Sequence, residues 1–152
     1  MTPRKALALG TLAVGILDIL DALIFFGLRG ARPIRIFQAI AAGLLGREAF
    51  QGGLATALLG GVLHFFIAFV IVLVYFLASS RAPVLSRHAV ALGMAYGIVV
   101  YFVMSYIVIP LSAASQGSFS FPVFVNGILI HAFGVGLPAA LFARAAREHQ
   151  SE

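Results

Sequence analysis

The hydrophobic and polar positions of this chain sort into long apolar runs divided by short polar breaks. Four runs, at residues 6–28, 54–78, 89–111 and 125–143, come to about 20 residues or more. That is the length a helix rising about 1.5 Å per residue needs to cross a hydrocarbon layer about 30 Å thick. The breaks RGARPIR, SSRAPVLSRH and SAASQGSFSFPVF each carry Pro with polar or charged residues, so no run continues into the next. Barrel strands would alternate every second residue over about ten positions, and these runs do not. The pattern predicts an all-α, polytopic membrane protein: one domain over residues 1–152, built as a four-helix transmembrane bundle.

A fifth segment, IFQAIAAGLLGREAFQGG at residues 36–53, is apolar at first and then carries Arg47, Glu48 and Gln51. It is too short to cross. We expect an interfacial helix that packs Phe37, Ile40, Leu44 and Leu45 into lipid or bundle, with a re-entrant segment as the alternative. Ala39, Ala42, Gly43 and Gly46 would let it approach another helix closely.

Composition narrows the class. Hydrophobic residues make up 62% of the chain and charged residues 10%, against roughly a quarter charged in a soluble domain, so too few polar residues exist to cover a soluble fold. The net charge of +5 is spread singly and in short groups beside the apolar runs. That spread, with no recognisable binding module, excludes a nucleic-acid partner. With no cysteine, disulfides, thiolate nucleophiles and Cys-ligated metals are excluded. MTPRK followed by an apolar run superficially matches a secretory signal. Asp18 and Asp21 interrupt the run, however, which reads as a retained first span. Counting flanks, Arg4, Lys5, Arg81, Arg87, Arg144 and Arg147 share one side and Arg29, Arg32, Arg35 and Arg47 the other. Six against four places both termini in the cytoplasm, and the uncharged stretch 112–124 agrees.

Membrane helices associate through close fit and polar contacts, so small residues four apart mark interfaces. Thr56, Gly60, His64 and Ala68 form one such row and Gly53, Ala57 and Gly61 the next; Gly93, Gly97, Tyr101 and Ser105 form a third. In the last span Gly127, His131, Gly134 and Pro138 share a side, and Pro138 should kink the helix by removing one amide donor.

Asp18, Asp21, His64 and His131 are the ionisable side chains, tyrosines aside, well inside the spans. An Asp near a helix centre costs about 2.5 to 3.5 kcal/mol on insertion scales, so these carboxylates should face the bundle. Three residues apart, they share a helix face, and their titrations should be coupled. At about 1.5 Å per residue, Asp21 stands about 6 Å above the midpoint of its span, His64 about 3 Å and His131 about 4 to 5 Å. Ser105 lies at a similar level beyond Tyr101. A polar layer is expected if these faces meet. Tyr75, Tyr96 and Tyr106 could anchor span ends, whereas Tyr101 needs an internal hydrogen-bond partner. His88 belongs to an interface and His149 to a polar tail.

Several uses of that layer stay open at this point. One is proton- or cation-linked passage, with Asp21 and Asp18 exchanging protons and the histidines relaying them. A chain this small would then act as a homo-oligomer. A metal could be held by His64, His131 and Asp21, with Asp18 a fourth ligand or a base beside the ligands, although no HExxH-type spacing joins them. Axial haem ligation by His64 and His131 and a Ser-His-Asp hydrolase have less support, the second because Ser105 lacks a nucleophile-elbow signature. The remaining reading is structural: the Asp and His residues pair only to fix helix register. No cofactor is called for, and the partners implied are the lipid bilayer, a second copy of the chain and a proton or small cation.

The runs DILDALIFFGLRG, RIFQAIAAGLLGREAFQGG, LLGGVLHFFIAF and AYGIVVYFVMSYIVIPL resemble a family of small, uncharacterised bacterial inner-membrane proteins. The resemblance spans nearly the whole chain and implies a multi-pass protein of the bacterial cytoplasmic membrane. It carries over no reaction and no site residue.

Overall fold

The computed structural model describes residues 1–115 and 117–148, so His149 lies outside the described residues. In chain order come α1 (Pro3–Gly27), α2 (Pro33–Leu45), a 3-10 turn at Gly46–Phe50, α3 (Gly53–Arg81), a short α4 (Pro83–Arg87), α5 (Ala89–Leu111) and α6 (Phe121–Glu148). Among the described residues there is no strand. Helices α1, α3, α5 and α6 are long and apolar enough to cross a membrane.

Their outward surfaces argue for lipid as the solvent. On α1, Leu9, Leu12, Ile16, Leu20 and Ile24 are all exposed and lie on one helical stripe. The inward residues are smaller: Ala6, Gly10, Val14 and Gly15 on α1, and Ala57, Gly60, Ala68 and Val72 on α3. A soluble bundle would have this arrangement reversed, with large apolar groups inside and polar groups outside.

Small residues set how near the helices come. A side chain at Gly97 would collide with the His131 carbonyl, and one at Gly136 with the backbone of Gly93 and Gly97, so α5 and α6 touch backbone to backbone. The contacts of Gly93 with Ala140 and of Gly127 with Tyr101 then make the two helices antiparallel. Gly10 against Val72 and Gly15 against Phe65 do the same for α1 and α3. The result is an up-down bundle with both described termini at one end, where the Met1 amino group donates to the Ala145 carbonyl at 3.4 Å and Arg147 Nη1 to the Ser79 carbonyl at 2.6 Å. This half is packed solid by Val72, Tyr75, Ala139, Ala140 and Ala143.

The segment expected as one helix over 36–53 is divided. Helix α2 starts at Pro33, whose missing amide suits a first turn, and stops at Gly46 (φ +60°). The 3-10 turn and Gly53 (φ +59°) then return the chain into α3. Positive φ is costly for any residue but glycine, so Gly46 is here a helix stop rather than a packing surface. Helix α2 lies against α3, with the Phe37 carbonyl filling the space that a side chain at Gly60 would need. Gln38 Nε2 donates to the Gly53 carbonyl at 2.9 Å, and Thr56 Oγ1 to the Ala49 carbonyl at 2.6 Å. The Ala113 amide donates to the Gly43 carbonyl at 3.0 Å, fixing α2 to the link between α5 and α6.

Of the six prolines, Pro3, Pro33, Pro83 and Pro122 open helices. The other two, Pro110 and Pro138, lie inside α5 and α6, and each stands two residues beyond a π-helical stretch, Met104–Val108 and His131–Gly136. A proline removes one amide and crowds the carbonyl four residues back, and widening the preceding turn to a π turn relieves both effects. The distortion expected at Pro138 therefore takes the form of a wide turn, and α5 carries a second one.

Candidate functional site

In the half of the bundle away from the termini the helices part around a cavity of about 620 Å³. Its walls are mostly apolar, including Ile67 and Ile71 of α3, Ile36 and Ile40 of α2, and Ile130 and Val135 of α6. It is partly open, and it runs along α1 from Val14 to Phe26, a rise of about 18 Å at about 1.5 Å per residue.

Every polar residue singled out from depth alone lies on this wall: Asp18, Asp21, His64, Tyr101, Ser105 and His131. Both π turns contribute, through Met104, Ser105 and Val108 from one and His131 and Val135 from the other. The wide turns thus aim the two polar positions of α5 and α6 into the opening.

The pairings differ from simple Asp-His ties. His64 is nine-tenths buried, and its Nε2 donates to the Gly15 carbonyl at 2.8 Å. A carbonyl only accepts, so that nitrogen carries the proton and Nδ1 is left with a lone pair. Nδ1 faces Asp18 Oδ2 at 4.0 Å, too far for a hydrogen bond. His131 Nδ1 donates to the Gly127 carbonyl one turn back in its own helix at 2.9 Å, and its Nε2 makes no hydrogen bond among the described residues. The His131 ring rests against Tyr101 at 5.4 Å between centroids.

Asp21 is held by a residue outside the expected set. Asn126 Nδ2 donates to Asp21 Oδ2 at 2.7 Å, joining α1 to α6. The signal was present, because Asn126 is the single amide side chain within the four runs read from the sequence. A neutral group one residue inside a run attracts less attention than a charge at its centre. Arg35 of α2 also reaches the wall, with Nη1 bound to the Phe50 carbonyl at 3.0 Å.

Two expectations are corrected. The metal set of His64, His131 and Asp21 does not assemble: among the described residues no three His, Asp or Glu side chains lie close enough to hold an ion. His64 turns to Asp18, Asp21 is taken by Asn126 and His131 is bonded within its own helix. Tyr75 and Tyr96 do not act as surface anchors. Their hydroxyls donate inward to the Leu85 carbonyl at 3.0 Å and the Ile71 carbonyl at 2.7 Å, and Tyr75 is fully buried. Tyr106 is exposed, as is His88. The Tyr101 hydroxyl makes no hydrogen bond among the described residues and stands at the cavity.

Comparison with protein-family models, curated proteins and solved structures finds no match for this chain.

Proposed function

We propose that the protein carries out proton- or cation-linked passage through the membrane, with Asp18, Asp21, His64 and His131 as the groups that exchange the charge. The observation that carries this reading is the single cavity of about 620 Å³ shared by all four. Ionisable groups at membrane depth are expensive and are kept where they pair, relay or bind. Here His64 Nδ1 faces Asp18 Oδ2 at 4.0 Å, and Asp18 makes no hydrogen bond among the described residues.

In this reading the cavity is a vestibule that ends on the packed half near the termini. Passage then needs α5 and α6 to shift against α1 and α3, and the π turns before Pro110 and Pro138 are where those helices can twist without breaking a full set of backbone bonds. We place the protein in the bacterial inner membrane with cytoplasmic termini, since six basic residues flank that end and four the other. The vestibule then opens outward, and α2 lies at its mouth as an interfacial or shallow re-entrant helix. A chain of 152 residues would work as a homo-oligomer.

The test is pH-driven proton or cation flux into proteoliposomes. Folded Asp21→Asn protein should lose it, and unchanged flux would sink the mechanism. A structural reading draws support from the helix ties Asp21–Asn126 and His64–Gly15 at 2.7 and 2.8 Å. It expects Asp21→Asn to disturb folding and wild-type protein to carry no flux.

A further inference from the structure

We propose that the cavity binds an organic cation with an apolar body and a primary ammonium head, the head seated between Asp18 and His64. This deepens the passage reading and rests on it for the use of the site, though binding itself can be measured apart from passage.

Size and lining come first. Small-molecule sites occupy about 300 to 1,000 Å³, apolar over most of their walls with a few polar groups that orient the ligand. A cavity of about 620 Å³ lined mainly by Ile, Val and Ala side chains fits that description. A bare metal cation asks instead for a shell of about six oxygens, and among the described residues no three His, Asp or Glu side chains come together to begin one.

The head position follows from two acceptors. With its proton committed to the Gly15 carbonyl, His64 offers the Nδ1 lone pair, and Asp18 Oδ2 stands 4.0 Å from it. That gap is too wide for the two to bond each other. One nitrogen placed about 2.9 Å from each would satisfy both and needs two N–H groups to do so. An ammonium supplies them and is neutralised by the carboxylate. His64 is nine-tenths buried, yet its Nδ1 is not sealed off and stays open to the cavity, where a ligand N–H can reach it. Asp21, held by Asn126, adds negative charge one turn along α1. The opposing charge is Arg35, engaged by the Phe50 carbonyl and making no ion pair with either carboxylate among the described residues. Tyr101 and His131 present an aromatic wall that favours a cation beside an apolar body.

The probe is 1-naphthylmethylamine, compared with its neutral isostere 1-naphthalenemethanol and with the N,N,N-trimethylated amine, by equilibrium dialysis against the full-length protein in detergent. The amine should bind about tenfold or more tighter than the alcohol, as a charge-assisted hydrogen bond implies, and tighter than the trimethyl form, which has no N–H. Folded Asp18→Asn protein should lose the preference. Equal binding of amine and alcohol by the wild type, or an unchanged preference in Asp18→Asn, would overturn the proposal, and the wild-type comparison decides it even if the variant fails to fold. Ion flux without amine preference would leave the passage reading standing and remove this one. Amine preference without any flux would do the reverse.

Discussion

Asn126 Nδ2 and Asp21 Oδ2 meet at 2.7 Å across 105 residues of chain, and this bond fixes the height at which α1 and α6 face each other beside the cavity. Removing the amide leaves a part-buried carboxylate facing the cavity without its partner. Asn126→Leu should lower stability by about 0.5 to 1.5 kcal/mol, the usual net worth of one hydrogen bond. Combining it with Asp21→Leu should cost less than the sum of the two single changes. Thermal unfolding in detergent across that double-mutant cycle measures the coupling, and strict additivity would mean that the bond contributes nothing.

The glycines at the α5–α6 contact should not tolerate a methyl group. Gly97→Ala would place Cβ on the His131 carbonyl, and overpacking of this kind costs about 1 to 3 kcal/mol. Gly27, with open space around it, is the control: Gly27→Ala should be neutral or slightly stabilising. Unfolding temperatures of the pair check the contrast, and a neutral Gly97→Ala would contradict the backbone contact.

Restoring the amide at Pro138 should let the preceding turn tighten. Pro138→Ala is expected to keep or raise thermal stability while reducing flux, because closing the π turn rotates His131 away from the cavity. Amide hydrogen exchange across 131–138 should slow in the same variant. Faster exchange with intact flux would separate the π turn from function.

Tyr75 tests the packed half. Its hydroxyl bonds the Leu85 carbonyl at 3.0 Å from a fully buried position, so Tyr75→Phe should cost about 1 kcal/mol. The loss should appear in unfolding and not in the flux of protein that remains folded.

Much of this was legible in the sequence. Run length located the four long helices, and α5 falls on 89–111 as read. Rise per residue was enough to put Asp21, His64 and His131 in one layer, with Asp18 nearer the centre of its span, since depth along a straight helix needs no knowledge of its neighbours. What depends on helix rotation was less accessible. A π turn inserts part of an extra residue into the register, so spacings counted at 3.6 residues per turn lose the true face beyond Met104 and His131. Pro110 falls one residue before the end of the 89–111 run, where the hydrophobic pattern carries no mark of the wide turn at Met104–Val108. Partner choice was also hidden. Two Asp and two His invite mutual pairing, yet the backbone carbonyls of Gly15 and Gly127 accept both histidine protons. Gly46 offered the same ambiguity, because a small residue suits packing and a positive φ alike.

The central claim is that the polar layer is reached from the aqueous phase on one side, as passage requires and sealed packing does not. The chain has no cysteine, so a single Ser105→Cys substitution on the cavity wall can be read cleanly with a charged, membrane-impermeant thiol reagent in oriented vesicles. Ser79→Cys, at a fully buried position near the termini, serves as the control. The account predicts labelling of position 105 from the side opposite the termini alone, with position 79 unlabelled from either side. A cysteine at 105 that stays unreactive from both sides in folded protein would contradict it.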